Sequence, residues 1–156
     1  MQIESCSKSD YDFIVQNLDL FWDHHRPSPL SPILLYEFGD TAFVIRENGE
    51  PIACMFGLLS QQGSVAYVQL VAVQRSARRK GLASALYGHF ISIAKRWGCS
   101  QLKAITSPSN LDSIRFHKGL GMSMDGYPSE DGVSIVRDYA GPGQDRVVFR
   151  MHLTST

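Results

Sequence analysis

A strand-like run that ends in a basic, glycine-containing turn constrains the fold of this chain more than any other feature. Val65–Val73 is rich in β-branched residues, and residues 78–83 connect it to a segment whose apolar residues recur at helical spacing. The sequence therefore predicts a strand, a turn and a helix in this order. Because the first N–H groups of a helix lack partners and carry partial positive charge, such a turn binds anions. The three cationic residues in the turn make a ligand with a pyrophosphate group the simplest prediction.

The remaining elements follow from periodicity and from turn residues. A first helix is predicted from a cap at Ser9 and Asp12 to a stop before Pro27, and a hairpin turn is predicted at residues 47–50. The other predicted helices are residues 33–38, 82–97 and 110–118. The other predicted strands are residues 41–46, 51–59, 101–106, 122–125 and 146–153. Residues 127–144 show little periodicity and are predicted to form a loop.

Size and composition predict one domain over residues 1–156. The chain has 156 residues, of which 44% are hydrophobic, enough for a core of its own. The first ten residues are polar and no stretch has the length of a membrane span, so we expect a soluble, cytoplasmic protein. Cys6, Cys54 and Cys99 are odd in number and far apart, which favours reduced, buried thiols.

The charge balance argues against nucleic-acid and membrane partners. Fifteen Lys and Arg residues offset fifteen Asp and Glu residues, so no overall field attracts a polyanion. A nucleic-acid binder that uses Arg75, Arg78, Arg79 and Lys80 is the weakest alternative, because no aromatic residues are interleaved with these cations.

Three segments together resemble the core motifs of the GNAT acetyltransferase superfamily. They are Val71-Ala72-Val73, Arg78-x-x-Gly81-x-Ala83 and Asn110-x-x-Ser113-Ile114-x-Phe116-His117-x-x-Leu120-Gly121-Met122. The resemblance implies a single α/β domain with a central, mixed, mostly antiparallel twisted sheet of about six or seven strands, about four helices on its two faces, and a splayed strand that binds coenzyme A. It also implies acetyl-CoA as co-substrate and no metal.

By this resemblance, the pyrophosphate of acetyl-CoA lies on the basic turn and its pantetheine arm runs beside the preceding strand. A preformed strand edge orders a flexible arm at low entropic cost, and oriented amides with cations neutralise two phosphates. The alternative for Gly81 and Ala83 is tight packing of the helix against the sheet. The residues assigned to the cofactor are Val71, Ala72, Val73, Arg78, Arg79, Lys80, Gly81, Leu82, Ala83, Ser84, Asn110, Ser113 and Phe116.

The resemblance assigns His117 to a position that is usually a tyrosine in the superfamily, where it protonates the departing thiolate. An imidazole titrates near pH 6 to 7, about three pH units below a phenol, so it is able to donate or accept a proton there. The alternative is that His117 fills space or binds the last carbonyl groups of its helix.

The general base has two candidates. Related enzymes often use a carboxylate or a water on the strand that here carries Tyr67 and Gln69. A water ordered by one of these side chains is the first candidate, and Asp138 from the later loop is the second. Residues 138–143 either form a wall of the acceptor cleft or are an ordinary connection. We expect His24 and His25 near the acceptor entrance, and adjacent histidines on a helix diverge too far to share a metal.

The leading hypothesis is an acetyl-CoA-dependent N-acetyltransferase in which a primary amine attacks the thioester directly within a ternary complex. Proximity and a strand amide that stabilises the oxyanion would then supply the main catalytic effects, without a cysteine nucleophile. The alternative is a catalytically silent acyl-CoA-binding sensor or assembly subunit. The sequence does not distinguish a small-molecule acceptor amine from a peptide one. Dimers are common in the superfamily, so the resemblance also makes a homodimer one expected oligomeric state.

Overall fold

The computed structural model describes residues 1–23 and 31–153, and its strands form one seven-stranded sheet and one two-stranded sheet. In chain order the elements are β1 (Ile3–Ser5), α1 (Lys8–Gln16), α2 (Leu18–Phe21), α3 (Pro32–Phe38), β2 (Ala42–Glu47), β3 (Glu50–Ser60), β4 (Val65–Val73), α4 (Leu82–Arg96), β5 (Gln101–Thr106), α5 (Leu111–Gly119), β6 (Ser123–Met124), β7 (Tyr127–Pro128), β8 (Ser134–Ile135) and β9 (Val147–His152). The larger sheet has the order β1-β2-β3-β4-β5-β9-β6, and β7 pairs with β8. The predicted mixed α/β fold with a mostly antiparallel sheet is confirmed.

The chain groups into two compact units. The first unit comprises Met1–Leu58 with Val68–Ala94, and the second comprises Leu59–Tyr67 with Lys95–Thr156. The prediction of a single domain over residues 1–156 stays a prediction.

The first helix begins two residues earlier than its sequence pattern suggested. Ser7, not Ser9, is the N-cap, and the Asp10 side chain accepts from the Ser7 N–H at 2.7 Å to complete a capping box. The predicted single helix is also divided at Asn17, whose φ of −124° is not helical. Strand β1 was not predicted, because three residues are too few to show an alternating pattern.

The predicted hairpin of the first unit is confirmed. Strands β2 and β3 pair antiparallel, and Asn48 and Gly49 between them have φ of +53° and +85°, as a two-residue hairpin turn requires. Helix α4 places Leu86, Phe90 and Ala94 in the core, where each is fully buried. Their spacing of four residues puts them on one face of the helix.

In the second unit β5 pairs antiparallel with β9, which also pairs with β6. Gly98 ends the connection from α4 with φ of +76°, the left-handed cap that its position predicted. Residues 127–144, predicted to form a loop, contain the short hairpin of β7 and β8, and Val136 forms a bridge with Arg146. None of the described helices combines the length and the apolar run that a membrane span requires.

Candidate active site

The turn that follows β4 starts at a residue fixed to the neighbouring strand. The N–H of Gln74 donates to the carbonyl of Ile52 on β3 at 2.8 Å, and Gln74 Nε2 donates to the carbonyl of Pro51 at 2.7 Å. A single 3-10 turn, Arg75–Ala77, comes next. Strand β3 therefore fixes the point at which the basic turn leaves the sheet.

Gly81 directs the chain from this turn into α4. Its φ is +78°, a conformation that glycine adopts at no steric cost. A Cβ added at Gly81 would meet no atom within 4 Å, so close packing against the sheet does not explain the glycine. The space over this residue is open, as an approaching ligand would need.

The N–H groups at the start of α4 are unpaired. The first bond of the helix runs from the N–H of Ala85 to the carbonyl of Gly81 at 3.0 Å. The N–H groups of residues 79–84 donate to no backbone carbonyl in the part of the chain that the structure describes. No acidic side chain lies in the first turn of α4. Unpaired donors at the positive end of a helix, without a competing carboxylate, are the features of an anion site.

Arg78 is engaged within the first unit. Its Nη1 lies 2.9 Å from Asp23 Oδ2, its Nη2 donates to the carbonyl of Phe21 at 2.9 Å, and its Nε donates to the carbonyl of Val73 at 3.3 Å. Asp23 also forms an ion pair with Arg75. The hydrogen bond from Arg78 is the main cause that lowers the pKa of the Asp23 carboxyl below 3.8. The Arg78 guanidinium therefore joins the end of α2 to the end of β4.

Arg79 and Lys80 differ from Arg78 in having exposed side chains without a carboxylate partner. Neither forms an ion pair with any residue of the described ranges 1–23 and 31–153. Arg79 has φ of +63°, an uncommon conformation for a residue with a side chain. These two residues supply the uncompensated positive charge of the turn.

Side chains alternate between buried and accessible along β4. Ala72 is buried at 6% exposure, whereas Val71 and Val73 on either side of it are partly exposed and Gln69 is exposed. The strand thus presents one open row of side chains immediately before the basic turn.

In the second unit Asn110 is the N-cap of α5. Its Oδ1 accepts from the N–H of Ser113 at 3.2 Å, and its Nδ2 donates to no described residue. The cap fixes the orientation of the Asn110 amide while leaving its NH₂ group available. Ser113 lies one turn before His117 on the same face of the helix.

His117 is buried, with 3% of its surface exposed. Its ring stacks on Phe149 at a centroid distance of 4.4 Å and meets the Phe116 ring edge-on at 5.2 Å. Its Nδ1 lies 2.7 Å from the carbonyl oxygen of Ser113, and since a carbonyl only accepts, Nδ1 carries the proton. Burial lowers the pKa of His117 below 6.5, against the opposing hydrogen bond to Ser113, so the ring is neutral at pH 7.

This tautomer bears on the predicted acid role of His117. A neutral ring protonated at Nδ1 has no proton on Nε2, and the imidazolium form that would have one is disfavoured by burial. The packing of the His117 ring against both Phe149 and Phe116 fits the alternative that His117 fills space. The acid role stays a prediction, and these contacts weigh against it at neutral pH.

Tyr67, another predicted catalytic residue, belongs to the second unit, as His117 does. Its pKa is raised to about 12, mainly by burial and further by Tyr139, while Arg146 acts in the opposite direction. The hydroxyl therefore keeps its proton at neutral pH, which suits ordering a water by donation and does not suit accepting a proton. Gln69, the other candidate on β4, has an exposed side chain.

Asp138, the alternative base, forms hydrogen bonds within its own loop. Asp138 Oδ1 accepts from the N–H of Gly143 at 2.6 Å, and the N–H of Asp138 donates to Asp145 Oδ1 at 3.0 Å. The carboxylate closes a turn, which favours the interpretation of residues 138–143 as a connection.

Two contacts, one in each unit, carry no local signal in the sequence. The ion pair between Asp23 and Arg78 joins residues 55 positions apart, and Lys103 lies over the ring of Tyr139 at 4.9 Å from its centroid. His24 and His25 lie outside the described residues. Within the described ranges no group of His, Cys, Asp and Glu side chains is arranged to hold a metal ion.

Comparison with protein families decides the relationship that these motifs suggest. A model of the acetyltransferase (GNAT) family matches residues 10–122, a range that includes β4, the basic turn and α5. The chain belongs to this family.

The curated relatives share only part of their length with this GNAT chain. It is 36% identical over 63 residues to aminoglycoside N(6')-acetyltransferase type 1 of Serratia marcescens, an alignment that covers 40% of this chain and 43% of that enzyme. A second curated relative is covered over 22% of its length. The chain thus spans less than half the length of these relatives.

Solved GNAT structures share the fold over nearly the whole chain. The Escherichia coli ribosomal-protein-S18-alanine N-acetyltransferase has a TM-score of 0.70 at 20% identity, with 99% of this chain and 95% of that chain covered. A chain of the NatB acetyltransferase complex bound to CoA and MES has a TM-score of 0.76 at 17% identity, with 99% and 100% covered. Identities this low establish a common fold and leave the acceptor undetermined.

Proposed function

We propose that this GNAT protein transfers an acetyl group from acetyl-CoA to a primary amine, which attacks the thioester directly. The basic turn carries the proposal: its N–H groups at residues 79–84 donate to no backbone carbonyl of the described residues, and the space over Gly81 is open. Membership of the GNAT family supports acyl transfer as the class of reaction.

The donor set of the turn fits a diphosphate. Backbone N–H groups at the N-terminus of α4 provide oriented donors, and Arg79 and Lys80 provide mobile positive charge without carboxylates that compete for them. Arg78 contributes differently from what its sequence motif suggested, because its guanidinium is bound to Asp23 and to two carbonyl groups. We assign Arg78 to positioning the turn.

The pantetheine contacts remain those that the family motifs predict. Along β4 these are the backbone groups of Val71, Ala72 and Val73, of which the Val73 carbonyl already accepts from Arg78. On α5 they are Ser113, Phe116 and Asn110. The Asn110 side chain caps the helix through its oxygen and keeps its NH₂ group available as a donor. Acetyl-CoA supplies the activated acyl group, and these residues would hold its arm in one conformation.

The cysteines do not suit a covalent acyl intermediate. Cys6, Cys54 and Cys99 are all buried free thiols, as predicted. Burial raises the pKa of Cys6 to about 12 and raises the pKa values of Cys54 and Cys99 as well, so none is a thiolate at neutral pH. Direct attack by the amine is therefore the simpler mechanism.

Proton removal from the amine has to be arranged without a strand carboxylate. Gln69 is exposed on β4 and Tyr67 keeps its phenolic proton, so both are able to hydrogen-bond a water that accepts the proton. We assign His117 no proton transfer at neutral pH, because its Nδ1 proton is bound to Ser113 and burial disfavours a second proton.

Calorimetric titration with acetyl-CoA, followed by thiol-release assays over an amine panel, tests the proposal. We expect a double variant Arg79→Gln and Lys80→Gln to bind acetyl-CoA about 10-fold more weakly, because two exposed, solvent-screened charges are lost, each worth at most about 1 kcal/mol. The matched control is Lys95→Gln with Arg96→Gln at the other end of α4, which should bind like the wild type. A wild-type protein that does not bind acetyl-CoA would refute the proposal. Binding without thiol release from any amine would favour the silent acyl-CoA-binding alternative.

A further inference from the structure

A cationic and aromatic cluster lies within the second unit, apart from the basic turn. Lys103 on β5 places its Nζ 4.9 Å from the centroid of the Tyr139 ring. Lys103 is half-buried and has no ion pair with any described residue. Its ammonium is therefore held by an aromatic face in place of a carboxylate.

The cation that lies next to Lys103 in the strand register, in contrast to Lys103, is paired with a carboxylate. Lys103 pairs across the strands with Arg150, and the two residues share one face. Arg150 forms an ion pair with Asp125 and donates to Gln101 Oε1 at 3.1 Å. Of these two neighbouring cations, one is neutralised and the other is not.

Arg146 is a second cation that pairs with no carboxylate of the described residues. Its backbone is fixed by reciprocal hydrogen bonds with Val136 at 2.8 and 3.1 Å. Its guanidinium donates to two neutral acceptors, the carbonyl of Asp145 at 2.8 Å and Gln144 Oε1 at 3.4 Å. The guanidinium is thus oriented while its charge remains uncompensated.

The nearby carboxylates of Asp138 and Asp145 do not neutralise these two cations. Asp138 Oδ1 accepts from the N–H of Gly143 and Asp145 Oδ1 accepts from the N–H of Asp138, so each is committed to shaping the loop. Neither forms an ion pair with Lys103 or Arg146. An anionic group bound beside these two partly buried cations would gain charge-assisted hydrogen bonds from both.

Tyr139 and Arg146 lie on one loop, in which the N–H of Ala140 donates to the carbonyl of Gln144 at 3.1 Å, and Tyr67 lies near both residues. Both Tyr139 and Arg146 lie close enough to act on the titration of its hydroxyl, and that hydroxyl remains a donor at neutral pH. One ammonium, one guanidinium and one phenolic O–H are the donors that carboxylates and phosphates accept from most readily. Tyr67 is also one of the predicted site residues on β4.

We propose that Lys103, Arg146 and Tyr67, with Tyr139 holding the lysine, bind an anionic group of the acceptor. The natural acceptor is then an amine that also carries a carboxylate or a phosphate. The inference rests on the proposed acetyltransferase function and names its substrate class.

The first test compares matched amines that differ only in the anionic group. Thiol release from acetyl-CoA is measured with an α-amino acid series against the corresponding carboxamides, and with phosphoethanolamine against ethanolamine. We expect kcat/KM to be at least tenfold higher for the anionic member of a pair, mainly through KM. The two arms distinguish a carboxylate from a phosphate.

The second test assigns the preference to the cluster. Lys103→Met should lower kcat/KM for the anionic acceptor about 10- to 100-fold and leave its uncharged partner within twofold. Tyr139→Phe retains the aromatic face and should behave like the wild type, whereas Tyr139→Leu should reproduce part of the loss. Lys118→Met, at an exposed lysine of α5, is the charge-matched control.

The outcomes separate this inference from the function on which it depends. Equal or faster acetylation of the uncharged amines would overturn it while leaving the acetyltransferase proposal intact. So would normal calorimetric binding of acetyl-CoA with no acetylation of any anionic amine. Failure to bind acetyl-CoA would instead remove the proposed function, and a loss of acetyl-CoA binding in Lys103→Met would place that lysine in the cofactor site.

Discussion

Replacing Gly81 with alanine tests the anion site at the turn with a matched internal control. Gly81 has φ of +78° and Gly98 has φ of +76°, and a Cβ at either position would meet no protein atom within 4 Å. The two substitutions therefore carry the same backbone cost and no steric clash. Only Gly81 lies next to the unpaired N–H groups at the start of α4.

The size of the effect follows from this geometry. A left-handed alanine costs about 1–2 kcal/mol, so each variant should lose that amount of unfolding free energy and about 2–8 °C in Tm. At Gly81 the added methyl group also occupies the open space through which a phosphate would approach. Displacing one charge-assisted contact predicts about 10- to 100-fold weaker binding of acetyl-CoA.

Differential scanning calorimetry and calorimetric titration measure the two quantities separately. Gly81→Ala and Gly98→Ala should unfold at similar temperatures, and only Gly81→Ala should lose affinity. If both variants bind acetyl-CoA like the wild type, the space over Gly81 is not where the diphosphate lies. If both lose affinity equally, the loss comes from reduced stability and the reasoning fails.

Three further predictions concern stability and pH. Gly57→Ala should destabilise the protein by about 1–3 kcal/mol in chemical denaturation, because the new Cβ would lie 2.5 Å from the buried Phe90 ring; an unchanged midpoint would mean that the ring moves freely. Burial works to raise the pKa of Asp10, but hydrogen bonds led by that of Arg46 outweigh it and hold the pKa below 3.8. The resulting stabilisation is complete above pH 3.8 and is lost as the pH falls through the folded-state value, so Asp10→Asn should cost about 1–3 kcal/mol at pH 7 and flatten the acid limb of the stability curve. Burial lowers the pKa of His117, so the stability of the wild type should fall as the pH drops from 6.5. His117→Phe should remove that fall and should keep turnover at pH 7.5 within tenfold of the wild type. A hundredfold loss of turnover would instead support the acid role of His117.

Strong local patterns allowed much of the fold to be predicted from the sequence. Strands β4 and β5 have the predicted bounds, and the hairpin at Asn48 and Gly49 follows from residues that tolerate positive φ. The first helix shows where such patterns become ambiguous. Ser7 with Asp10 and Ser9 with Asp12 both lie near the start of the helix, and the pairing of Asp10 with Arg46, 36 residues away, accompanies the earlier cap.

The candidate site was less predictable because its side chains are arranged by distant contacts. The motif containing Gly81 identified the turn, but not that Arg78 is bound by Asp23. The spacing on α5 placed His117 beside Ser113, whereas its stacking on Phe149 comes from the far end of the chain. Local sequence gives the backbone of such a site, and the titration of its side chains depends on contacts that only the folded chain supplies.

The backbone conformation of Arg79 implies that folding stability is given up for a positive charge in the turn. With φ of +63°, this position would be occupied more comfortably by glycine, at a gain of about 1 kcal/mol. A thermostabilisation campaign guided by folding alone would select Arg79→Gly and would remove one of the two uncompensated charges of the turn. Engineers who seek a more stable variant of this protein should leave that residue unchanged.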